Sequence, residues 1–312
     1  ETPGLRLLVR PGSERRRLDA VLARYPGADV EVVSGSLGSP EEALKLLDDV
    51  TVIYHLAAAL SGQAAEMFLG TVVASKNLLE AIVRAGTKPK VVLISSFGVY
   101  GVADLPRGHL VDESTPLEAH PERRDHYSHS KLKQEKVFER YRLEHGIPVT
   151  ILRPGVIYGP GGGAMSAGGG LRLPGIFLFL GGKKPLPLSY AEAICVAAER
   201  ARFDGDVYNV LDDELVTCDE YLHRYEEQVE RLRVLTLPYP LAIALSAGVA
   251  WYHRYSQGQL PAILTPYKTR TSWKGNRFSN AKLRSLGFAP IVPTEEGLSR
   301  TFSYLREKAA SA

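Results

Sequence analysis

Two stretches of the chain carry residue types that can do chemistry together. VVLISSFGVYG (residues 91 to 101) is an apolar run ending in paired hydroxyls, and YSHSK (127 to 131) sets a phenol four residues before an amine. An apolar run of this length suits a strand covered on both faces by helices. Ligands of parallel sheets collect where such strands stop, which puts Ser95 and Ser96 where a ligand binds. In DHYSHSKLKQEKVFERY, Leu132, Val137, Phe138 and Tyr141 recur at helical spacing, so Tyr127 and Lys131 lie one turn apart on one helix face. A phenol titrates near 10 in water and an adjacent cation lowers that by roughly 1 to 3 units. Lys131 is expected to supply the cation, making Tyr127 a proton-transfer group at neutral pH.

Spacing alone does not single out this pair. The chain has 15 tyrosines, and a second Tyr-x-x-x-Lys, Tyr304 with Lys308, occurs in a C-terminal amphipathic pattern. No serine-ended strand precedes that copy, and it reads as an ordinary exposed helix face.

Around the pair the elements alternate between strand and helix, and several motifs follow in order: VIYHLAA, KNLLEA, LISSFGVYG, YSHSK, LRPGVIYGPG and FSNAKLRSLGF. Together they resemble the NAD(P)-dependent epimerase/dehydratase family of extended short-chain dehydrogenases/reductases, over nearly all of the chain. The resemblance implies an α/β fold with a doubly wound, mostly parallel, Rossmann-like sheet and a smaller C-terminal substrate lobe. Residues 1–165, with 186–211 returning to them, are expected to form the dinucleotide domain, and 166–185 with 212–312 the substrate lobe. It implies Ser96, Tyr127 and Lys131 as catalytic residues, Lys131 also binding the ribose. Cofactor contacts are implied for Ser36, Leu56, Ala57, Ala58, Thr71, Ser95, Tyr127, Lys131, Pro154, Gly155, Val156 and Ile157. Phe97 and Tyr158 are implied on the substrate side. Dehydratases of the family carry an Asp-Glu pair directly after the catalytic hydroxyl; Phe97 and Gly98 stand there, which disfavours dehydration.

The start of the chain departs from the pattern. GLRLLVRPGS reads as a strand, followed by a helix (Leu18 to Tyr25) and a second strand in DVEVVSGSL, and in the family these would be strands two and three. No G-x-x-G-x-x-G turn precedes them, the turn that lets a pyrophosphate approach a helix N-terminus. The expectation is that the chain starts after that turn, as a piece of a longer product, binds dinucleotide poorly and folds marginally without its central strand. The glycines of GPGGGAMSAGGG, from Gly159, open no helical pattern and read as a mobile substrate loop. Arg10 stands at the end of the first strand, with Ser13 and Arg15 behind it, where NAD sites usually hold an acid and an arginine tolerates a 2′-phosphate. The cofactor reading is therefore NAD(P) with a lean to NADP, assigning Arg10 and Ser13 to it.

Composition excludes other classes. The 312 residues are 45% hydrophobic and 23% charged, with net charge +3, and no basic stripe interleaved with aromatics marks a nucleic-acid partner. Cys195 and Cys218 read as buried thiols of a reducing, cytoplasmic protein. No apolar span of about 20 residues is present. The longest apolar stretch, LTLPYPLAIALSAGVAWYH from Leu235, is broken by Pro238 and Pro240 and reads as a packed helix, with a membrane-surface contact or an apolar substrate wall as the alternative. ADLPRGHLVDESTPLEAHPERRD reads as a long surface loop. His120, His126 and His129 match no metal pattern and read as solvated, so no metal is expected. The smaller lobe supplies cations near the expected substrate loops, Arg172, Lys183, Lys184, Arg270 and Arg277, that a diphosphate would require.

The reaction expected is proton exchange at Tyr127 coupled to hydride transfer at a secondary alcohol or carbonyl. The leading substrate expectation is a nucleotide sugar, as for an epimerase or reductase. A sterol-like or other lipophilic alcohol is the second, on IFLFL at 176 to 180 and the apolar stretch from Leu235. A cofactor-sensing or scaffold protein without turnover is the third. A homodimer through the helices bearing KNLLEA and YSHSK is expected by analogy with the family.

Overall fold

The computed structural model describes residues 4–162, 169–202, 205–256 and 264–310. It divides into two compact units, Glu1–Val91 with Lys133–Val149 and Val92–Leu132 with Thr150–Ala312.

In the first unit, β1 (Leu5–Val9), α1 (Arg16–Leu22) and β2 (Val30–Ser34) form a βαβ unit with the strands parallel and Leu5 opposite Val30. The helix expected over Leu18 to Tyr25 thus begins and ends earlier; Tyr25 lies in the turn beyond it, where its N–H bonds back to Leu22. α2 (Pro40–Leu44) starts at Ser39, whose hydroxyl accepts the Glu42 N–H, with proline at the first helical position. β3 (Val52–His55) leads to α3 (Ala64–Phe68), which continues through one π turn into α4 (Ala74–Ala85). α4 carries KNLLEA, buries Leu78, Leu79, Ala81 and Ile82, and stops at Gly86. The Lys90 N–H then bonds the Thr51 carbonyl at 3.0 Å, setting the start of β4 (Lys90–Ile94) beside the β3 segment.

The second unit takes up the chain from the middle of β4. β5 (Leu110–Val111) lies in the long polar stretch, and α5 (His126–His145) follows it. β6 (Val149–Pro154), buried along its length, lies beside β4, with the Ser95 N–H bonded to the Leu152 carbonyl at 2.7 Å. β7 (Val156–Tyr158) comes next, then the antiparallel hairpin of β8 (Gly170–Leu173) and β9 (Ile176–Phe179), then β10 (Leu188–Tyr190), α6 (Ala191–Ala201) and β11 (Val207–Val210). α7 (Cys218–Gln228) opens with Thr217 and Glu220 capping each other's backbone N–H. β12 (Val234–Thr236), α8 (Tyr239–Tyr255), α9 (Pro266–Trp273), β13 (Arg277–Phe278), α10 (Ala281–Arg284) and α11 (Thr294–Ala310) complete it.

Parallel pairing joins β6 to β11, β7 to β10, β9 to β12 and β5 to β13. The fold is α/β with parallel strands, as the alternating pattern predicted. The core of this unit gathers Leu152, Tyr158, Tyr190, Tyr208, Tyr221 and Phe302. Of the second Tyr-x-x-x-Lys pair, Tyr304 packs partly buried against that core, unlike the exposed position expected, while Lys308 is exposed as expected. Cys218 is buried but Cys195 is exposed, contrary to the expectation for both thiols. Residues 163–168, half of the expected substrate loop, lie outside the described residues.

The turn from β6 to β7 tolerates no side chain at Gly155. A Cβ there would stand 2.0 Å from the Pro187 carbonyl oxygen, which already accepts the Val156 N–H at 2.6 Å. Gly155→Ala is therefore expected to lower unfolding stability by about 1–3 kcal/mol, read from the urea midpoint. An unchanged midpoint would show that the turn yields without cost.

Candidate active site

Ser96 leaves β4 in extended backbone and caps a single 3₁₀ turn over 97–99, its Oγ accepting the Gly98 N–H at 3.1 Å. α5 opens after Asp125, whose carboxylate accepts the Ser128 N–H and the Ser128 hydroxyl, each at 2.8 Å. These two ends meet. The Ser96 hydroxyl lies close enough to the Tyr127 phenol to act on its hold on the proton. One turn further, Lys131 is 2% exposed and donates from Nζ to the Ile94 carbonyl at 2.6 Å. The hydroxyl, phenol and amine picked out by sequence are thus assembled at the end of one strand.

Glycine at 98 is part of this closure. A Cβ there would lie 2.7 Å from Ser128 Oγ, so the strand end reaches the first turn of α5 only because position 98 has no side chain. An acidic side chain at 98, as dehydratases of the resembled family carry, would collide with α5.

The electrostatics differ from expectation. Burial pushes the Tyr127 phenol above its ordinary value and the Asp125 carboxylate adds to the rise, while the Ser96 hydroxyl works against them. The expected lowering is not met: the phenol is desolvated, and Lys131 Nζ donates to the Ile94 carbonyl. At neutral pH Tyr127 is a protonated donor.

Residues that support the loop before α5 were not legible from local pattern. The Tyr100 hydroxyl donates to Asn209 Oδ1 at 2.6 Å, with the Arg153 guanidinium 4.8 Å from the centre of its ring. Buried Glu118 accepts from Arg124 at 3.4 Å and from the Tyr267 hydroxyl, and Arg124 also donates to Ser128 Oγ at 3.3 Å. Asp125, three residues before Ser128, is a capping pattern that could have marked the start of α5.

The other expected site residues are placed as follows. In the first unit, Arg10 and Ser13 lie in an exposed turn, the Ser13 N–H bonding the Arg10 carbonyl at 3.1 Å. Ser36 Oγ donates to Glu42 and accepts the Gly38 N–H. Thr71 is buried and accepts the Ala59 N–H at 3.0 Å. Leu56 is exposed, Ala58 is half-buried, and the Ala57 carbonyl accepts from Gln134, which also donates to Ser75. In the second unit, Ser95 and Pro154 are buried and the Gly155 N–H bonds Ser189 Oγ at 3.0 Å. Val156 is half-buried and Ile157 exposed. Phe97 stacks on Phe278 at 5.4 Å.

Tyr158, expected on the substrate side, is buried and donates to Asp212 at 2.5 Å. Among the expected substrate cations, Arg172 pairs with Glu230 at 3.0 Å, Arg270 with Asp104 at 3.6 Å, and Arg277 donates to the Gly108 carbonyl at 3.1 Å. Lys183 is exposed, while Lys184 donates to the Ser272 carbonyl. His120 lies 3.6 Å from Glu122. Among the described residues no group of three or more His, Cys, Asp or Glu could hold a metal ion.

A phenol and an amine one turn apart fit the ribose and nicotinamide half of a dinucleotide. No G-x-x-G-x-x-G occurs in the 312 residues. Parallel strands, with a serine-ended strand meeting a Tyr-x-x-x-Lys helix turn, define an α/β protein of the dinucleotide-linked oxidoreductase class. Residues 8–170 match the model of the NAD dependent epimerase/dehydratase family, and the chain belongs to that family. It is 26% identical over 307 residues to 3beta-hydroxysteroid-dehydrogenase/decarboxylase isoform 1 of Arabidopsis thaliana, covering 89% of this chain and 68% of the relative. Isoform 2 of the same plant is 24% identical over 310 residues, 88% of this chain, which spans only 52% of that relative's length. Among solved structures, DesIV, a dTDP-glucose 4,6-dehydratase from Streptomyces venezuelae with NAD and TYD bound, superposes with a TM-score of 0.72 at 20% identity, over 100% of this chain and 90% of DesIV.

The assignment of Tyr158 to the core is testable. Tyr158→Phe is expected to lower stability by about 1–3 kcal/mol, because buried Asp212 loses a donor, and to leave KM unchanged. A raised KM at unchanged stability would return Tyr158 to the substrate.

Proposed function

We propose that the chain is an NAD(P)-linked oxidoreductase that interconverts a secondary alcohol and its carbonyl, and that its substrate is a lipophilic alcohol of sterol-like type. The observation that carries the reaction is the approach of the Ser96 hydroxyl to the Tyr127 phenol one helical turn from buried Lys131. Ser96 holds the reacting oxygen. Tyr127 gives its proton to that oxygen in reduction and takes it in oxidation. Lys131 fixes the turn that carries the phenol and offers its ammonium to a ribose. Bound NAD(P) supplies or accepts the hydride. Arg10, exposed at the end of β1, supports a preference for the phosphorylated cofactor.

The substrate reading rests on charge and on the relatives. A diphosphate calls for cations that are not already neutralised, whereas Arg172 and Arg270 each stand beside a carboxylate. The hydroxysteroid dehydrogenases named above match the chain along most of its length. A nucleotide sugar is the second reading, favoured by exposed Lys183 and the likeness to DesIV.

Turnover of a 3β-hydroxysteroid with NAD⁺ or NADP⁺, against a panel of nucleotide sugars, tests the choice. Exclusive turnover of a nucleotide sugar would overturn the lipophilic reading. Tyr127→Phe is expected to lower kcat by about 10²–10⁴-fold, and unchanged function would mean a sensor without turnover. The raised phenol sets the pH dependence. Ketone reduction, which needs the protonated form, holds through neutral pH and falls only in the alkaline range. Alcohol oxidation, which needs the deprotonated form, climbs as pH rises toward that range. An oxidation rate that is flat from neutral to alkaline pH in the wild type would remove Tyr127 as the base.

A further inference from the structure

The helix expected to be packed presents an apolar face outward. α8 buries only Ala242 and Ser246, and Ala242 packs with Leu180, Leu237 and Trp273 against Leu171 and Leu178 of the β8–β9 hairpin. Beside them Leu241, Leu245, Val249, Tyr252 and Tyr255 recur at helical spacing along an exposed stripe, Leu241 50% and Leu245 49% exposed. Trp251, 60% exposed, stacks on Tyr255 at 5.6 Å between ring centres.

Strand register extends the patch. Leu171, Leu178 and Leu235 are directly opposite one another, as are Leu173 and Ile176. Since side chains alternate along a strand, Leu173, Ile176 and Leu235 lie on the same side of this sheet as Leu171 and Leu178, the side that receives α8. All three are exposed. An apolar area of this extent exceeds the isolated exposed leucines that every protein shows.

Its charge indicates what covers it. No Asp or Glu occurs from Leu235 to Ser256; the basic residues there, His253 and Arg254, stand in the last turn of α8 beside the exposed aromatic rings. Arg233, exposed, immediately precedes β12. An apolar face with Trp and Tyr at one end, rimmed by cations and free of carboxylates, matches the depth profile of a lipid interface, where rings sit at headgroup level and arginines meet phosphates. The length is right for lying on the surface: among the described residues no helix is long and apolar enough to cross a membrane.

We propose that α8, with the outer ends of β8, β9 and β12, docks the protein onto an anionic bilayer surface. This is independent of the substrate reading, because it needs neither cofactor nor turnover, and Tyr127→Phe binds vesicles as the wild type does.

The test is flotation of the 312-residue chain with phosphatidylcholine vesicles, with and without phosphatidylglycerol, together with tryptophan emission. The chain has two tryptophans and Trp273 is buried, so a blue shift on vesicle addition that Trp251→Phe abolishes reports insertion of this face. The double variant Leu241→Gln/Leu245→Gln, at half-exposed positions that spare the core, is expected to reduce partitioning by at least about tenfold with an unchanged circular dichroism spectrum. Arg254→Gln is expected to weaken binding only to vesicles containing phosphatidylglycerol. Should the double variant not fold, the emission comparison stands by itself. Failure of the wild type to float, or a dimer in light scattering that the double variant dissolves without any vesicle binding, overturns the proposal; the second result assigns the face to another copy of the chain.

Discussion

The site depends on one bond, from the buried Lys131 ammonium to the Ile94 carbonyl across 37 positions of sequence. A cation withdrawn from water is tolerated only where oxygens replace its hydration, and the last carbonyl of β4 is such an oxygen. Because the side chain is fixed at both ends, the bond sets the rotation of α5 about its axis and its height against the strand. Tyr127, one turn nearer the helix start, is thereby carried to Ser96. Without it the pair would be two hydroxyls on separate elements.

The rest of the neighbourhood makes that placement rigid. Asp125 accepts two hydrogen bonds from Ser128 and so fixes where α5 begins. The same carboxylate also raises the phenol, so the cap that positions Tyr127 biases its chemistry. Glu118, buried and bonded to both Arg124 and Tyr267, ties the preceding loop to α9. Arg124 passes that constraint on to Ser128 and back to the cap. Gly98 is the steric counterpart, an absent side chain that lets the strand end and the helix start touch.

Sequence reading recovered the parts whose signal is local. The VVLI run, the periodicity of α5 and the Ser96, Tyr127 and Lys131 triplet are all written within short windows, and each has a place in the fold that its pattern implies. What it missed depends on partners far along the chain. Tyr158 follows a proline-glycine exit like a ligand contact, yet its hydroxyl meets Asp212, 54 positions on. Glu118 and Tyr267 are 149 apart. The arginines looked available for phosphate because nothing local says that Arg172 faces Glu230. For α8, composition gave the helix but not how little of it the hairpin covers, since only Ala242 and Ser246 find cover.

The direction of the raised phenol bears on how such a site is built. Lowering a tyrosine requires positive charge near the oxygen in excess of the cost of removing it from water. Here the protein supplies the Ser96 hydroxyl in that sense, set against burial and Asp125. The Lys131 ammonium, satisfied by Ile94, is held in place as a positioning cation first. The chain's own residues therefore keep the Tyr127 phenol protonated. To serve as the base, the phenol needs either alkaline solution or further positive charge brought beside it.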